Sequence, residues 1–525
     1  MSAAPTIYDE VDYPGHAQPR IHPRRLRTLA MLRGLDPPPV ECARVLELGC
    51  GDGLNLLWIA DEFRGARCVG VDLAESALAR GRAGAAEMGL TNIELVRADL
   101  LDIEASFGEF DYIIAHGVYS WVPEPVRDQV LKICHQNLAP EGIAAVSYNA
   151  YPGCHLRNLA RDAMRFHAAR HDDPVAKMTA AREIAALLPL AATGGSLYVQ
   201  VLRDELKTVE SYPPSALFHD DLSEANQPVY LVDFVAHARR HRLHYLCDTT
   251  MMTARADGLA PEVEARITGL ARDRVEREQY LDFVNGRRFR HSLLHRGARE
   301  PDFTCAPRRA MTMAAAAPLR HNATREQLIG DAKVTFEEEP PHSITLSDPL
   351  LKCALHYLGE SWPEPLAAET LLSMCQEMAG RRPQPDAADR DMLGTVLYEL
   401  AAVGFVRLSA TPWHATAEPG ERPCASALSR WQAAHGTRVT SHQGAMVELV
   451  EGITCRLVCL LDGTRTLDEL ADELVRAVNA GEVDVPPALK EAWAAGQGRA
   501  AIAEGLPSNL RILGRKGLLQ RSRAI

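Results

Sequence analysis

Short apolar runs separated by amphipathic segments dominate residues 43–149 of the chain. The runs occupy residues 44–48, 67–71, 93–96, 111–115 and 143–148, and segments with helical periodicity lie between them. A repeated strand–helix order predicts a parallel β-sheet with helices on both of its faces. We therefore expect an α/β fold in this part of the chain.

Two more strand-like runs, residues 243–247 and 289–294, follow after a long helical stretch. One helical pattern covers residues 155–190, and residues 170–235 are predicted to be largely an insertion before the sixth strand. Another amphipathic helix is predicted at residues 24–33. The predicted sheet then has seven strands, with a helical insertion after the fifth.

The C-terminal part differs in pattern. Residues 300–339 have weak periodicity and predict a linker. Two similar units follow, with apolar helical patterns at residues 350–358, 367–378 and 392–403, and then at 446–461, 467–478 and 510–519. Helices that end in a glycine before a short strand, as at Gly404, are typical of winged-helix-like α+β modules. We expect a core over residues 1–300 and two such modules over 301–416 and 417–525.

Composition narrows the class of protein. A length of 525 residues predicts two to four domains, and a net charge of −12 argues against a nucleic-acid-binding protein, which needs a basic face. The twelve cysteines form no C-x-x-C pair, which favours free thiols in a reducing compartment. The N-terminal sequence lacks the form of a signal peptide, and no apolar run reaches the roughly 20 residues that span a bilayer. We therefore expect a cytoplasmic location and no membrane span.

The strongest chemical signal lies at the end of the first predicted strand. The sequence there is E-L-G-C-G-D-G, in which Glu47 precedes Gly49, Gly51 and Gly53. Glycines permit positive φ and a close approach of a ligand to the backbone, at the sheet edge where ligands bind. A glycine loop also suits nucleotide-binding dehydrogenases, but their spacing is G-x-G-x-x-G. The G-x-G-x-G spacing behind an acidic residue is the pattern of S-adenosylmethionine-dependent methyltransferases, whose acidic residue holds the positive end of the cofactor.

Polar residues also close the next three predicted strands. Asp72 can accept both hydroxyls of a ribose, although it could instead cap the next helix. Asp99 can accept the adenine amino group, and Leu100 can cover the ring. His116 and Gly117 end the fourth strand, beside the expected sulfonium. Four signals in strand order predict one cofactor site, whose predicted contacts also include Cys50, Asn55 and Leu73.

The loop after the fourth strand is the most specific feature of the chain. Its run A-H-G-V-Y-S-W-V-P, residues 115–123, with V-R-D at 126–128, resembles bacterial methyltransferases that carry a methyltransferase regulatory domain. This group includes the rickettsial protein-lysine methyltransferases that act on outer-membrane protein B. Further matches are Y-D-E-V at 8–11, S-Y-N at 147–149, Y-P-G at 151–153, V-D-F-V-A-H-A at 232–238 and Y-L-D-F at 280–283. The resemblance covers residues 6–300.

This resemblance implies a class I, Rossmann-like methyltransferase fold, whose seven-stranded sheet ends in an antiparallel strand. It places the helical insertion and regulatory region at residues 170–300. It implies S-adenosylmethionine as the cofactor and methyl transfer as the reaction, with a protein substrate methylated on lysine side chains.

A lysine acceptor must arrive neutral, although its unperturbed pKa is about 10.4. A desolvated entry with aromatic walls favours the neutral amine. We predict that this wall is formed by Tyr119, Trp121, Tyr148, Asn149 and Tyr151. The alternative for Tyr119 and Trp121 is packing at the start of a helix. His116 is the nearby candidate for a base, and a structural role beside the cofactor is the alternative.

The N-terminal segment and one predicted helix carry further candidates. Tyr8, Tyr13, His16 and His22 are predicted to fold over the cofactor as a lid, the alternative being a surface arm. His237 and His241 are four residues apart on a predicted helix, a spacing suited to metal ligands. Because no glutamate lies between them as in H-E-x-x-H, no metal site is predicted.

Three functions stay open on the sequence. The leading hypothesis is a protein-lysine N-methyltransferase. The second is a methyltransferase of a small molecule or a carrier-bound metabolite. The third is a regulator that binds S-adenosylmethionine without turnover. Transfer of a labelled methyl group distinguishes the three, because only the first labels protein and only the third labels nothing.

Overall fold

The computed structural model describes residues 11–191, 195–251, 259–297, 299–304, 306–338, 342–380, 387–450, 452–485 and 487–521. One sheet contains β1 (Arg44–Leu48), β2 (Arg67–Asp72), β3 (Ile93–Arg97), β4 (Phe110–Ala115), β5 (Leu138–Asn149), β6 (His244–Asp248) and β7 (Phe289–His295). Its order is β3-β2-β1-β4-β5-β7-β6. Strands β1 to β5 pair in parallel, and β7 is antiparallel to both β5 and β6. The predicted seven-stranded, Rossmann-like sheet with an antiparallel last strand is confirmed.

Helices cover both faces of this sheet. They are α1 (Pro23–Leu32), α2 (Leu54–Glu62), α3 (Glu75–Glu87), α4 (Glu124–Gln136), α5 (Cys154–Ala168), α6 (Pro174–Ala191), α7 (Leu197–Glu210), α8 (Leu231–Arg240), α9 (Pro261–Leu270) and α10 (Arg274–Asn285). Side chains alternate across a strand, so Val45 of β1 packs with α1–α3 while Leu46 packs with α4 and α8. The two apolar cores therefore lie on opposite faces and leave the carboxyl edge of the strands to polar residues.

The insertion has a small core of its own. Helices α5, α6 and α7 pack together around Met164, Ala181 and Leu206, and short helical turns at Pro214–Ala216 and Leu217–Asp221 follow. The chain then enters α8 and β6. This confirms a helical insertion between the fifth and sixth strands, placed where the cap of an active site would lie.

A buried ionic network fixes α10 to the sheet. Arg290 on β7 is fully buried, and its guanidinium donates to both carboxylate oxygens of Asp282 at 2.8 Å and to Glu278 at 3.2 Å. The bidentate pairing with Asp282 stabilises the buried guanidinium, because a buried charge without partners costs several kcal/mol. The network therefore ties the last strand to the region that precedes it in sequence.

The predicted linker at residues 300–339 is instead structured in part. It contains α11 (Ala306–Ala310), β8 (Ala314–Ala316), α12 (Arg325–Ile329) and β9 (Val334–Glu337), which pairs with β10 (Ser343–Leu346). The alanines of β8 are buried between β11 (Leu366–Ala367) and β12 (Arg407–Ser409). Short runs of alanine carry little strand signal, so tertiary burial rather than local pattern sets this strand.

The C-terminal helices follow the predicted order. They are α13 (Pro349–Ser361), α14 (Ala368–Met378), α15 (Ala387–Ala402), α16 (Ala427–His435), α17 (Ile453–Leu460), α18 (Leu467–Asn479), α19 (Lys490–Ala494) and α20 (Gly498–Arg515). Short strands accompany them, β13 (Cys424–Ala425), β14 (Arg438–Thr440), β15 (Met446–Glu448) and β16 (Leu519–Gln520). The helices α16–α18 and α20 surround a separate apolar core, whereas α13–α15 share theirs with α1–α3.

The last module contacts the outer side of the first domain. The backbone N–H of Leu428 donates to Asp61 at 2.9 Å, and the indole of Trp431 donates to Glu87 at 2.8 Å. These contacts lie on α2 and α3, away from the carboxyl edge of the sheet. The domain limits at residues 300 and 416 stay a prediction. Among the helices of the described residues, none has both the length and the apolar character needed to cross a bilayer.

Candidate active site

The glycine loop joins β1 to α2 at the carboxyl edge of the sheet. Gly49 and Gly51 have φ of 67° and 57°, which strain any residue with a side chain. A Cβ at Gly49 would come within 2.4 Å of Val118, whereas a Cβ at Gly51 would meet open space within the described residues. Gly117 at the end of β4 also has positive φ and faces open space. The two loops therefore border one opening.

Glu47 is a buried carboxylate with one oxygen unsatisfied. Its side chain is at the end of β1 and 4% exposed; Oε1 accepts from Asn55 at 3.0 Å, and Oε2 has no hydrogen-bond partner among the described residues. Burial, together with the nearby charges of Asp52 and Asp72, raises the pKa of Glu47 to about 8. A buried carboxylate with nearby negative charges is stabilised by a cation. Such a position fits the ammonium of S-adenosylmethionine.

The predicted ribose and adenine residues lie along the same edge. Asp72 accepts from the backbone N–H of Gly51 at 2.8 Å and, through its other oxygen, from that of Ala74 at 2.9 Å. It therefore fixes the glycine loop and the turn that precedes the next helix, whose N-cap residue is Ala74. Asp99 accepts from Leu101 N–H at 2.9 Å at the start of a helical turn. Of the apolar candidates beside them, Leu73 is exposed and Leu100 is buried. Cys50 is half-buried, and burial raises the pKa of its thiol.

His116 ends β4 and stacks on a second histidine. Its ring lies parallel to that of His291 on β7, with centroids 5.3 Å apart. Burial is the main cause that lowers the pKa of His116 to about 4 and that of His291 to about 3. The neighbouring Gly117 N–H donates to Ser147 Oγ at 2.9 Å. Both rings are therefore neutral at pH 7 and add no positive charge to the end of β4.

The N-terminal segment crosses the start of α2, and its role as a lid stays a prediction. The backbone N–H of Gly15 donates to Asp52 at 3.0 Å, and that of Gln18 donates to Asn55 at 3.0 Å. Asn55 in turn holds Glu47, so the segment and the buried carboxylate share one hydrogen-bonded chain. At its other end the segment reaches the insertion, because His219 bonds to the carbonyl of Val11 at 2.7 Å.

The individual lid residues have different positions. Tyr13 is exposed and its hydroxyl lies 3.5 Å from both carboxylate oxygens of Asp220. His16 bonds to Gln18 at 2.7 Å. His22 starts α1 and is buried against Trp58 near the far end of α2. We therefore leave His22 out of the proposed cofactor site, while Tyr8 lies outside the described residues.

Tyr119 and Tyr148 do not form a surface. They are 2% and 1% exposed, and both rings pack on Phe234 of α8. The hydroxyl of Tyr119 lies 2.7 Å from Nδ1 of His237, and that of Tyr148 lies 2.9 Å from Oγ of Ser292. An interior that buries a ring usually satisfies its hydroxyl in this way. Burial of both rings therefore favours packing, the alternative given for Tyr119, and an acceptor role for these two tyrosines stays a prediction.

The other predicted wall residues remain accessible. Trp121 is half-buried, and the guanidinium of Arg161 lies 5.8 Å from its ring centre. Asn149 donates to Asn226 Oδ1 at 2.8 Å. Tyr151 stacks on His155 with centroids 4.1 Å apart and lies beside Tyr230. These three follow β4 and β5 and border the insertion.

Several residues at this edge were not among the site residues predicted from the sequence. Asp52 and Ser147 hold backbone N–H groups of the lid and of the loop after β4. Asp220 lies beside Tyr13, and burial raises its pKa to about 6. Asn226 and His291 come from the insertion and the last strand, far away in sequence. Asp52, inside the glycine motif, and Ser147, in the S-Y-N run at residues 147–149, could have been found from their positions.

The order of the sheet, the glycine loop and the unsatisfied carboxylate at the end of β1 define a class I S-adenosylmethionine-dependent methyltransferase. Comparison with known families agrees. A model described as a methyltransferase domain matches residues 45–142, one described as a predicted methyltransferase regulatory domain matches 213–296, and one described as the C-terminal winged helix domain of PKMT matches 421–518. The chain belongs to the class I methyltransferases that carry this regulatory domain.

Two relatives come from Rickettsia prowazekii (strain Madrid E). The uncharacterized protein RP028 is 35% identical over 234 residues, which are 44% of this chain and 94% of that relative. The uncharacterized protein RP789 is 37% identical over 288 residues, 55% of this chain. The matched region spans only about half (52%) of the length of RP789.

A solved structure is similar over nearly the whole chain. PKMT2 from Rickettsia typhi has a TM-score of 0.85 and 27% identity, covering 97% of this chain and 99% of that one. The same protein in complex with AdoHcy gives a TM-score of 0.84. AdoHcy is what S-adenosylmethionine becomes after losing its methyl group, so S-adenosylmethionine is the cofactor of this enzyme.

Proposed function

We propose that this chain is a protein-lysine N-methyltransferase. The observation that carries the proposal is its likeness to PKMT2 from Rickettsia typhi, a name we take to mean protein-lysine methyltransferase, over 97% of the chain. The likeness includes the insertion and the C-terminal modules, the parts that would select an acceptor. The match of residues 421–518 to a PKMT winged helix domain supports the same acceptor class.

Relatives that act on small molecules support only the cofactor. Trans-aconitate 2-methyltransferase from Variovorax paradoxus (strain S110) is 32% identical over 130 residues, 24% of this chain and 46% of that relative. That length suits the cofactor-binding core alone. We propose the cytoplasm as the location, because the eleven cysteines of the described residues form no disulfide with one another and thiols suit a reducing compartment.

The proposed cofactor contacts follow from the unsatisfied groups. Glu47 would hold the ammonium through Oε2, and the lid bonds at Asp52 and Asn55 would keep that carboxylate in place. Asp72 would accept the ribose hydroxyls with the lone pairs that Gly51 and Ala74 leave, and Asp99 would accept the adenine amino group. When bound, S-adenosylmethionine supplies an electrophilic methyl group on a sulfonium.

The chain's contribution to transfer is positioning and desolvation. The lysine nitrogen uses its lone pair to form the new N–C bond as the C–S bond breaks, and its proton leaves to water. Asn149 donates through its amide nitrogen to Asn226, so its carbonyl oxygen is the atom left to accept from the amine. Trp121 offers an aromatic face to the methylated product. A pKa of about 4 makes His116 a weak base, so we assign it to packing beside the cofactor.

The test is transfer from radiolabelled S-adenosylmethionine to two separate acceptor pools, cell-envelope proteins and a small-metabolite extract. Label on lysines, located by mass spectrometry and lost in a Glu47→Ala, Asp72→Ala double variant, is expected. A Glu94→Ala variant, which removes an exposed carboxylate on β3, is the matched control and should keep transfer. Label only among small molecules would overturn the lysine proposal. Cofactor binding without any transfer would overturn it in favour of a non-catalytic regulator.

A further inference from the structure

Three side chains converge on the sheet face opposite α1–α3, outside the cofactor site. Nε2 of His241 lies 2.8 Å from Oδ1 of Asp128, and Nε2 of His237 lies 3.2 Å from the same oxygen. The three potential ligand atoms all lie within 4.8 Å of one another. His237 is on the last turn of α8, His241 is the residue that directly follows this helix, and Asp128 is near the start of α4.

This arrangement changes the conclusion from sequence spacing. The pair His237 and His241 lacks the glutamate of H-E-x-x-H, which argues against a site on one helix. The third ligand instead comes from Asp128, more than one hundred residues earlier in the chain. Two imidazoles and one carboxylate are a common three-ligand set for Zn²⁺, with a fourth position for water. Ligand atoms about 2.0 Å from a tetrahedral ion are about 3.3 Å apart. The distances from Oδ1 of Asp128 to Nε2 of His237 and of His241, 3.2 and 2.8 Å, are close to this value.

The outer contacts also suit a metal site. Nδ1 of His237 lies 2.7 Å from the hydroxyl of Tyr119, so Nε2 of that ring is the atom that faces Asp128. A metal-bound histidine usually makes such a bond through its other nitrogen, which fixes the orientation of the ring. The guanidinium of Arg127 lies 5.8 Å from the Tyr119 ring centre, on the ring rather than on the ligand atoms. The side chains of His237 and His241 are 10% and 15% exposed, and that of Asp128 is 52% exposed, which leaves an entry path.

We propose that Asp128, His237 and His241 bind a divalent transition-metal ion of the Zn²⁺ type that joins α4 to α8. Helix α4 lies in the region matched by the methyltransferase domain and α8 in the region matched by the regulatory domain. The ion therefore fastens these two regions together. Through His237 it also fixes Tyr119, two residues after Gly117 in the loop at the cofactor opening. Its role is structural, because its outer contact is the buried Tyr119 and not a residue of the proposed cofactor site.

Isothermal titration of the full chain with Zn²⁺ tests the proposal. The chain would carry Cys42→Ser, which removes an exposed thiol, and would be treated with a chelator beforehand. One ion per chain is expected, with affinity reduced at least tenfold by Asp128→Asn and by His241→Gln. A Tyr119→Phe variant removes only the outer contact and should weaken binding by roughly 10–100-fold. His435→Gln, an exposed histidine 3.5 Å from Glu87, is the matched control and should bind as before.

Two measurements keep the test independent of methyl transfer. Co²⁺ in place of Zn²⁺ should give the visible absorption of a tetrahedral nitrogen and oxygen site, without a thiolate band. The midpoint of thermal unfolding should rise with Zn²⁺ for the parent chain and not for His241→Gln, because an ion that binds only the folded state stabilises it. No binding by the parent chain would overturn the proposal. Equal binding by both ligand variants, each shown to be folded by circular dichroism, would overturn it as well.

Discussion

The regions at the carboxyl ends of β1 and β4 lie on the same edge of the sheet, but they differ in whether their buried polar side chains are hydrogen-bonded. At the end of β1, Glu47 keeps one buried carboxylate oxygen without a partner among the described residues. After β4, Tyr119 buries its ring and satisfies its hydroxyl on His237. A buried unmet charge costs stability, whereas a satisfied hydroxyl supports the fold. The comparison teaches that unmet polar atoms mark a binding site better than aromatic side chains near the opening do.

The largest expected effect comes from removing a packed tyrosine. Tyr148→Ala should lower the free energy of unfolding by about 3–5 kcal/mol, as large aromatic truncations in cores do. Affinity for S-adenosylmethionine per folded molecule should stay close to that of the parent chain. Denaturant unfolding and calorimetry measure the two quantities. Tyr148→Phe keeps the ring, loses the bond to Ser292 and should cost about 1 kcal/mol. Full stability with lost methyl transfer in Tyr148→Ala would return this residue to the acceptor wall.

The next prediction concerns Glu47, the residue with the unsatisfied carboxylate oxygen. Glu47→Gln keeps an acceptor for Asn55 but removes the charge, so affinity for S-adenosylmethionine should fall by about 10–100-fold, the value of a charge-assisted hydrogen bond. The cofactor-free chain should at the same time become more stable near pH 8, because a costly buried charge is gone. Calorimetry and thermal unfolding without cofactor test the pair of effects. Glu94→Gln, on the exposed surface, should change neither. Weaker binding together with lower stability would mean that Glu47 is structural.

The same contrast explains what could be predicted from sequence. The strands and the glycine loop were predictable because short apolar runs and G-x-G-x-G spacing are local signals. The roles of Tyr119 and Tyr148 were not, because burial depends on Phe234, which packs on them from a helix distant in sequence. The strand at Ala314–Ala316 was missed for the same reason, since its neighbours are 50 and 90 residues or so away along the chain. Residues that act through local backbone geometry can be predicted, and residues placed by tertiary contacts cannot.

A series of binding measurements at different pH values tests the raised pKa of Glu47. Its pKa is about 8 in the folded, cofactor-free chain, against an ordinary value of 4.5. At pH values between 4.5 and about 8, the Glu47 carboxyl group is protonated in the folded state and ionised in the unfolded state. The contribution of Glu47 to the free energy of unfolding therefore falls as pH rises through this range, and it levels off above about pH 8. Binding of a cationic ammonium needs the carboxylate, so affinity should rise with pH through the same window, by up to about tenfold per pH unit. Calorimetry from pH 6 to pH 9 measures this slope, with Glu47→Gln as the control that should lose it. An equal slope in the variant would assign the titration to another group.

The smallest effect concerns the lid, whose backbone N–H groups bond to Asp52 in the glycine loop and to Asn55 on α2. A Cβ at Gly15 would come within 2.2 Å of Asp52 Oδ1, so Gly15→Ala should break the bond from its N–H to that carboxylate. Loss of one such bond, about 1 kcal/mol, predicts roughly fivefold weaker binding of S-adenosylmethionine, through faster dissociation. Stability should not change, because the segment contributes little of the core. Stopped-flow dissociation measures the rate, and the matched control is Gly269→Ala, at an exposed glycine that, like Gly15, lacks a positive φ and where a Cβ would meet open space among the described residues. Unchanged dissociation in Gly15→Ala would show that the segment crosses α2 without covering the cofactor, and the site would then be closed by the insertion alone.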